Sequence, residues 1–188
     1  MARKTQPNSG LPRLPEADAP HPGEGVQPPE VEHSRLLISR RLLDLTLSKL
    51  AARSAETRES AAIWAGTIAG EDSLATEVHF HHELCDDRGS ELSLELTEEA
   101  KFRLYETLHG SGLKLVALIH THPESWVGLS HIDQRNQVCS RIGFWSLVVP
   151  NYGRRPWDLF ALGVHIRADN GWYQVPKAKI ADRIIISG

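Results

Sequence analysis

The hydrophobic positions of this chain fall into an alternating series of helical and extended patterns. Leucines recur at helical spacing over residues 39–52, with Ser39 as the candidate N-cap, and predict an amphipathic helix. A small, apolar run over 59–69 predicts a buried strand, although its period alone does not exclude a helix. An alternating run over 74–84 predicts a second strand, and the polar residues 86–89 predict the turn that follows it.

The second half of the chain continues this alternation. Thr97, followed by two glutamates, predicts a helix start; Phe102, Leu104, Tyr105 and Leu108 form its expected apolar side, and glycines at 110 and 112 end it. Further runs predict a buried strand at 113–120, a short helix at 130–139 and three more strands at 144–150, 159–166 and 172–175. The mixed order predicts a single α/β domain with a mixed sheet flanked by helices.

Residues 1–32 lack any hydrophobic period. They contain seven of the eleven prolines, and such a segment buries too little apolar surface to offset the entropy lost on ordering. We therefore expect a disordered, proline-rich tail over 1–32 and one folded domain over 33–188.

Composition narrows the function classes. The chain has 188 residues, a net charge of -3 and a sequence pI of about 6.4, which argues against a general nucleic-acid binder. Its apolar runs are far shorter than the ~20 residues that span a bilayer, so no membrane association is expected. No apolar run follows Arg3 and Lys4, and Cys85 and Cys139 form no C-x-x-C pair. These features predict a cytoplasmic protein with reduced thiols.

Two histidines, His120 and His122, stand at the end of the predicted strand 113–120, and Asp133 follows eleven residues later. On an extended strand both rings project from the same face, at the strand end where α/β sites usually form. Two imidazoles and one carboxylate are ligands that zinc takes, and they leave a fourth position open for water, as in catalytic zinc sites. The spacing therefore predicts a catalytic zinc centre.

These residues also have simpler interpretations. Histidines at a strand end are often just partly buried, although a carboxylate at loop distance favours the metal. Ser130 and Asp133 have the S-x-x-D spacing of a capping box, which is the stronger explanation when taken alone. The two interpretations are compatible, because a helix start would hold Asp133 toward the strand end and the Ser130 hydroxyl where it could donate to an oxyanion.

A zinc hydrolase also needs a carboxylate that is not a ligand, to take a proton from the metal-bound water. Glu59 is the candidate, because it stands at the edge of a small-residue, apolar segment. The alternative is an exposed glutamate at the end of a helix, and spacing alone favours that alternative.

The run H-T-H-P at 120–123, followed by Ser130 and Asp133, has the spacing H-x-H-P-x6-S-x-x-D and resembles the JAMM, or MPN-plus, zinc isopeptidase family. The segment E-S-A-A-I-W-A-G at 59–66 is similar in register to that family's E-T-C-G-I-L-x-G. It departs from that pattern at Ala61, Ala62 and Trp64. The resemblance covers roughly 59–166 and implies an MPN-type domain, a cytidine-deaminase-like sandwich.

The resemblance also implies a mechanism. His120, His122 and Asp133 would bind zinc, Glu59 would take a proton from the zinc-bound water and pass it to the leaving amine, and Ser130 would stabilise the oxyanion. Members of the family cleave after the C-terminal tail of ubiquitin or a ubiquitin-like protein, whereas members that lack the ligands act as scaffolds. This chain keeps every ligand position.

The short chain resembles the compact bacterial branch of this family. That resemblance implies a ubiquitin-like protein and its conjugates as partners, together with the associated activating and conjugating enzymes, in settings that include antiviral operons; other such proteins trim sulfur carriers. Two alternatives stay open: a non-catalytic module that binds a ubiquitin-like protein, and a zinc hydrolase of small amides.

Other candidate groups carry less weight. His79, His81, His82 and Glu83 could form a second metal site, but we expect them to form a solvated strand face. Cys139 and His131 could form a Cys-His nucleophile pair, which we do not expect. We expect Trp126 to cover its loop, and Arg154, Arg155 and Trp157 to lie in a surface loop.

Overall fold

The structure is a computed structural model that describes residues 30–53, 59–85, 96–135 and 137–188. Eight strands are present in these ranges: β1 Arg35–Ser39, β2 Ala61–Ala69, β3 Asp72–Phe80, β4 Lys114–Thr121, β5 Trp145–Val149, β6 Gly163–Ala168, β7 Gly171–Gln174 and β8 Ile184–Ser187. The helices there are α1 Arg40–Arg53, α2 His81–Leu84, α3 Glu98–Ser111, α4 His131–Arg135 and α5 Ile180–Arg183.

The strands form one mixed sheet in the order β7-β6-β5-β4-β2-β3-β1-β8. Strand β4 lies in the middle, antiparallel to β2 on one side and parallel to β5 on the other. The prediction of a mixed sheet flanked by helices is confirmed. Within the described ranges, no helix has the length and apolar character needed to cross a membrane.

Helix α1 follows the predicted pattern. The Ser39 hydroxyl accepts a hydrogen bond from the backbone N–H of Leu42 at 3.2 Å, as an N-cap does. Leu43, Leu47 and Leu50, which share one helical face, are buried against the sheet. The predicted tail lies outside the described residues except for its last three positions, and that prediction stays untested.

Helix α3 begins and ends as predicted but buries a different face. Thr97 accepts from the N–H of Ala100, and Gly112, with φ of 70°, ends the helix. The predicted apolar side is partly wrong, because Phe102 is 62% exposed and Tyr105 is 46% exposed. The buried stripe instead runs through positions four apart, at Ala100, Leu104 and Leu108.

Two predicted elements end earlier than expected. The strand predicted over 74–84 ends at Phe80, since the N–H of Cys85 bonds to the carbonyl of His81 and closes the helical turn α2. The helix predicted over 130–139 is limited to α4. The carbonyl of Val138 accepts from the Tyr105 hydroxyl instead of a helical N–H. The predicted turn at 86–89 lies outside the described residues.

Three strands differ from the pattern. The strand predicted from 159 begins at Gly163, because Asp158 accepts from the N–H of Phe160 and caps a 3-10 turn at Leu159–Ala161. Strands β1 and β8 were not predicted. They are five and four residues long and pair parallel with each other at one edge of the sheet. Their runs are too short for a period to separate strand from helix.

A buried hydrogen-bond chain fastens α1 to the sheet. Trp64 on β2 is fully buried, and its indole N–H donates to the Thr46 hydroxyl at 2.9 Å. That hydroxyl donates in turn to the carbonyl of Leu42 at 2.8 Å. A large aromatic ring can be buried here because its polar atom has a partner.

Replacing Thr46 with valine tests this link. Thr46→Val keeps the side-chain shape but leaves the indole N–H of Trp64 buried without an acceptor, so we expect a loss of about 1–3 kcal/mol in unfolding free energy. Thr107→Val is the matched control, because Thr107 makes the same bond to the carbonyl four residues earlier, on the exposed side of α3. Its effect should stay within about 0.5 kcal/mol. Urea titrations measure both; equal losses would contradict the assignment.

Candidate metal centre

The end of strand β4 places two imidazoles on one face of the sheet. His120 and Thr121 are the last residues of β4, and His122 follows them, so alternation directs both histidine rings to the same side. Both residues are buried, at 1% and 5% exposure. The backbone of His122 is fixed twice, because its N–H donates to Val149 and its carbonyl accepts from the N–H of Tyr152.

The second of these bonds depends on an unusual turn after β5. Asn151 and Tyr152 have φ values of 52° and 56°, in the left-handed region that non-glycine residues rarely adopt. This turn brings the N–H of Tyr152 within 2.7 Å of the His122 carbonyl. The sequence analysis missed this support, although N-Y-G directly after a buried run is a recognisable turn signal.

The three predicted ligands converge. The Nε2 atoms of His120 and His122 are 3.2 Å apart, and each lies 3.5 Å from a carboxylate oxygen of Asp133. Bonds of about 2.0–2.1 Å at tetrahedral angles separate neighbouring zinc ligands by roughly 3.3 Å. The two Nε2 atoms therefore have about the spacing of neighbouring tetrahedral ligands, and one ligand atom from each of the three residues lies within 4.8 Å of the other two. Among the described residues, they are the only group of three histidine, cysteine or acidic side chains arranged to hold a metal ion.

The tautomer of His122 also fits metal binding. Its Nδ1 lies 3.1 Å from the carbonyl oxygen of Trp126, which can only accept, so the ring proton sits on Nδ1. A metal ion bound at Nε2 would then take the place of the proton through which this atom bonds to Asp133. His120 differs in that its buried Nδ1 has no hydrogen-bond partner.

Asp133 is held by the capping box that the sequence predicts. The N–H of Ser130 donates to Asp133 Oδ2 at 2.7 Å, and the N–H of Asp133 donates to the Ser130 hydroxyl at 3.1 Å. The structural and functional interpretations of S-x-x-D thus coexist. The hydroxyl accepts in this bond and still carries a proton that it can donate.

The charged groups in the cleft shift one another's pKa values. Burial acts to raise the pKa of Asp133, but hydrogen bonds with His120, His122 and Ser130 outweigh it and hold that pKa far below its usual range. Burial acts to lower the pKa of His122, and Asp133 together with the Trp126 carbonyl raises it overall. Asp133 is therefore ionised, as a ligand must be.

Glu59 lies two residues before the start of β2 and faces the ligands. Ala61 pairs with His120 in the antiparallel ladder, so the register places Glu59 opposite His122. The side chain is half-buried, and that burial raises its pKa despite the opposing influence of His122 and His120. Glu59, Ser130 and the three ligands line one cleft of about 410 Å³. All five predicted site residues are therefore brought together.

The loop between His122 and Asp133 packs closely against the sheet. The Trp126 ring stacks on His122 at 5.2 Å between centroids and 14° between planes, while 55% of the residue stays exposed. This agrees with the expectation that Trp126 covers the loop. Two glycines make room: a Cβ on Gly163 would overlap the carbonyl oxygen of Val127, and one on Gly128 would lie 2.5 Å from the indole.

His165 is a further buried histidine that the sequence analysis missed. It lies on β6 opposite Ser146, which pairs with Leu118, and so shares the sheet face of His120. Burial lowers its pKa to about 4, so the ring is neutral at pH 7. It therefore adds no positive charge beside the metal ligands.

The other candidate groups remain apart from this cleft. The expected solvated strand face at 79–83 is not formed, because His81, His82 and Glu83 lie in the helical turn α2, and the Nε2 atom of His79 on β3 is buried. Both cysteines are free thiols, as expected. Arg155 stacks on Trp157 at 4.4 Å and lines a different groove, between α1 and the turn at 155–162.

No family model matches the chain. Over 90 residues, or 47% of the chain, it is 37% identical to the probable metalloprotease y4jG of Sinorhizobium fredii (strain NBRC 101917 / NGR234). The match spans 55% of that relative, about half its length. The name of this relative agrees with the metal-ligand geometry of the cleft.

Two solved structures with TM-scores above 0.5 show the same fold. Protein DSY2949 from Desulfitobacterium hafniense has a TM-score of 0.54 at 15% identity, covering 81% of this chain and 92% of that one. A protein from Salinibacter ruber (strain DSM 13855) has a TM-score of 0.52 at 17% identity, covering 80% and 90%. AF2198, a JAB1/MPN domain protein from Archaeoglobus fulgidus, has a TM-score of 0.45 at 20% identity, covering 82% and 99%.

Removing one ligand should abolish metal binding. We expect His122→Ala to weaken zinc binding by more than the about 10–100-fold that loss of a supporting hydrogen bond costs, because a donor atom itself is lost. His131→Ala, an exposed histidine at the start of α4, is the control and should bind zinc like the unaltered protein. Metal content after dialysis, measured by mass spectrometry, decides. Full zinc occupancy in His122→Ala would refute the ligand assignment.

Proposed function

We propose that this JAMM/MPN-type chain is a zinc-dependent peptidase or isopeptidase that cleaves after the C-terminus of a ubiquitin-like protein. The observation that supports this most is the cleft itself. Two histidines and an aspartate form a group that could hold a metal ion, and the half-buried Glu59 and the Ser130 hydroxyl line the same cleft.

Each residue has a defined task in this proposal. His120, His122 and Asp133 would hold a zinc ion, which when bound would lower the pKa of a water and polarise the substrate carbonyl. Glu59 would accept a proton from the attacking water and deliver it to the leaving nitrogen as the C–N bond breaks. The Ser130 hydroxyl would stabilise the oxyanion by donating a hydrogen bond.

The walls of the cleft suit a peptide tail. Pro123, Trp126 and Ile132 line it beside the ligands, and the last two are 55% and 53% exposed. Exposed apolar side chains around a polar centre are typical of sites that bind an extended segment and orient one bond. The choice of a ubiquitin-like protein as substrate rests on the family resemblance.

The proposal extends to the setting of the enzyme. Its partners would be a ubiquitin-like protein and its conjugates, with the activating and conjugating enzymes of the same bacterial system, in the cytoplasm. Deconjugation and precursor maturation use the same bond cleavage, and antiviral defence is one setting in which such a system would act.

Glu59→Gln tests the catalytic assignment. The amide keeps the shape of the side chain but cannot accept the proton, so we expect turnover to fall by at least about 100-fold with zinc still bound. Glu124→Gln is the matched control, since Glu124 lines the same cleft and is exposed. Substrates are ubiquitin-like proteins that carry C-terminal extensions, run with and without a zinc chelator. Unchanged turnover in Glu59→Gln would remove Glu59 from its role.

The same assay separates the alternatives. Cleavage at the end of the modifier, lost with chelator, supports the proposed function. Cleavage of short peptides without any effect of a folded modifier would favour a hydrolase of small amides. Binding of the modifier by a zinc-loaded protein that cleaves nothing would favour a non-catalytic module.

A further inference from the structure

The two strands that carry the site meet at one buried pair of residues, Ser60 and Thr121. Continuing the β2–β4 register beyond Ala61 and His120 places Ser60 opposite Thr121. The N–H of Thr121 donates to the Ser60 carbonyl at 2.9 Å. The return bond is different, since the N–H of Ser60 donates to the Thr121 hydroxyl at 2.9 Å. In a regular pair it would reach the main-chain carbonyl.

This pair is anchored on the side away from the metal. Ser60 and Thr121 are 4% and 0% exposed. The Ser60 hydroxyl donates to the carbonyl of Leu50 in α1 at 3.1 Å. A methyl built on Gly153 would lie 3.6 Å from the Thr121 methyl group, which is ordinary packing distance. The pair is therefore fixed to α1 and closely surrounded.

The hydrogen bond from the Ser60 N–H to the Thr121 hydroxyl lies next to Glu59 along the chain. Successive side chains of an extended segment point to opposite faces, so Ser60 points toward α1 while Glu59 points toward the ligands. The peptide group between Glu59 and Ser60 carries the N–H that Thr121 accepts. The orientation of that peptide group thus depends on the hydroxyl of Thr121, the residue between the two histidine ligands.

We propose that Thr121 is a positioning residue for Glu59. Its hydroxyl takes the place of a main-chain carbonyl, opens the ladder at this pair, and sets the separation between Glu59 and the ligands His120 and His122. This inference rests on the proposed function, because it assigns Thr121 a role through the proton-transfer task of Glu59.

The rate of proton transfer depends strongly on the position of the general base. A general base acts only within hydrogen-bond reach of the proton it removes, about 2.6–3.2 Å between heavy atoms. A misplacement of roughly 1 Å can lower a rate by about 100-fold. Glu59 lies two residues before the start of β2, outside the paired residues of the β2–β4 ladder. The nearest backbone hydrogen bond that holds this segment is the one from the Ser60 N–H to the Thr121 hydroxyl.

Thr121→Val is the decisive variant, because it keeps the branched shape and removes only the hydroxyl. We expect kcat to fall by about 10–100-fold, with KM and zinc content within twofold of the unaltered protein. Thr121→Ser restores the hydroxyl and should recover most of kcat. Thr67→Val, an exposed position on β2, is the control for the substitution itself and should leave kcat unchanged.

A double variant shows whether the effect runs through Glu59. In the Glu59→Gln background, Thr121→Val should cause no further loss of kcat, since the two changes act on the same step. Independent, multiplied losses would overturn the positioning role. Loss of zinc in Thr121→Val, or equal kcat in Thr121→Val and Thr121→Ser, would also overturn it.

A readout without activity separates this inference from the proposed function. In Thr121→Val the Ser60 amide should exchange with deuterium at least about 10-fold faster, because its acceptor is gone. A crystal structure of that variant should show the Glu59 carboxylate displaced while His120, His122 and Asp133 stay in place. An unmoved Glu59 with a protected Ser60 amide refutes the inference, even if no substrate is ever cleaved. Absence of turnover in the unaltered, zinc-loaded protein counts against the proposed function alone.

Discussion

The antiparallel register between β2 and β4 is the constraint on which the site depends. Pairing Ala61 with His120 places a carboxylate and two imidazoles on one face, although they are about sixty residues apart in sequence. Because the side-chain period of a strand is two, a slip of one residue would direct Glu59 toward α1 and away from the ligands. The buried Trp64–Thr46 bond and the Ser60–Leu50 bond both oppose such a slip, since each fastens β2 to the same helix.

The third ligand is supplied by local structure. Asp133 is positioned by its own capping box with Ser130, and the intervening loop is held down by its contacts at Gly163 and His122. The donor atoms thus approach tetrahedral spacing through hydrogen bonds among protein groups. A site already arranged in this way loses less conformational entropy when it takes up an ion.

Much of the site could be predicted from sequence, because its chemistry depends on short spacings. H-x-H at a strand end and S-x-x-D at a helix start are local patterns, and the structure bears out the geometry of both. The exposed Phe102 and the short strands β1 and β8 could not be predicted in this way. Which face of α3 is buried, and whether a four-residue run pairs at a sheet edge, are decided by tertiary packing. The contacts of Thr121 and Gly163 were missed for the same reason, since both join segments that are distant in sequence.

Ser130 shows why fold and chemistry are difficult to separate at such a centre. One hydroxyl accepts the N–H of Asp133 and so holds that residue in place, and in the proposed mechanism its own proton would also serve the oxyanion. Removing it would disturb both the position of Asp133 and the transition state, so a loss of activity alone would not identify the cause. In the proposed mechanism, Thr121 and Glu59 would divide these tasks between two side chains: one accepts a backbone N–H on the α1 side, and the other faces the candidate ligands. Positioning and proton transfer could therefore be resolved for the glutamate, whereas for the serine both would reside in a single oxygen atom.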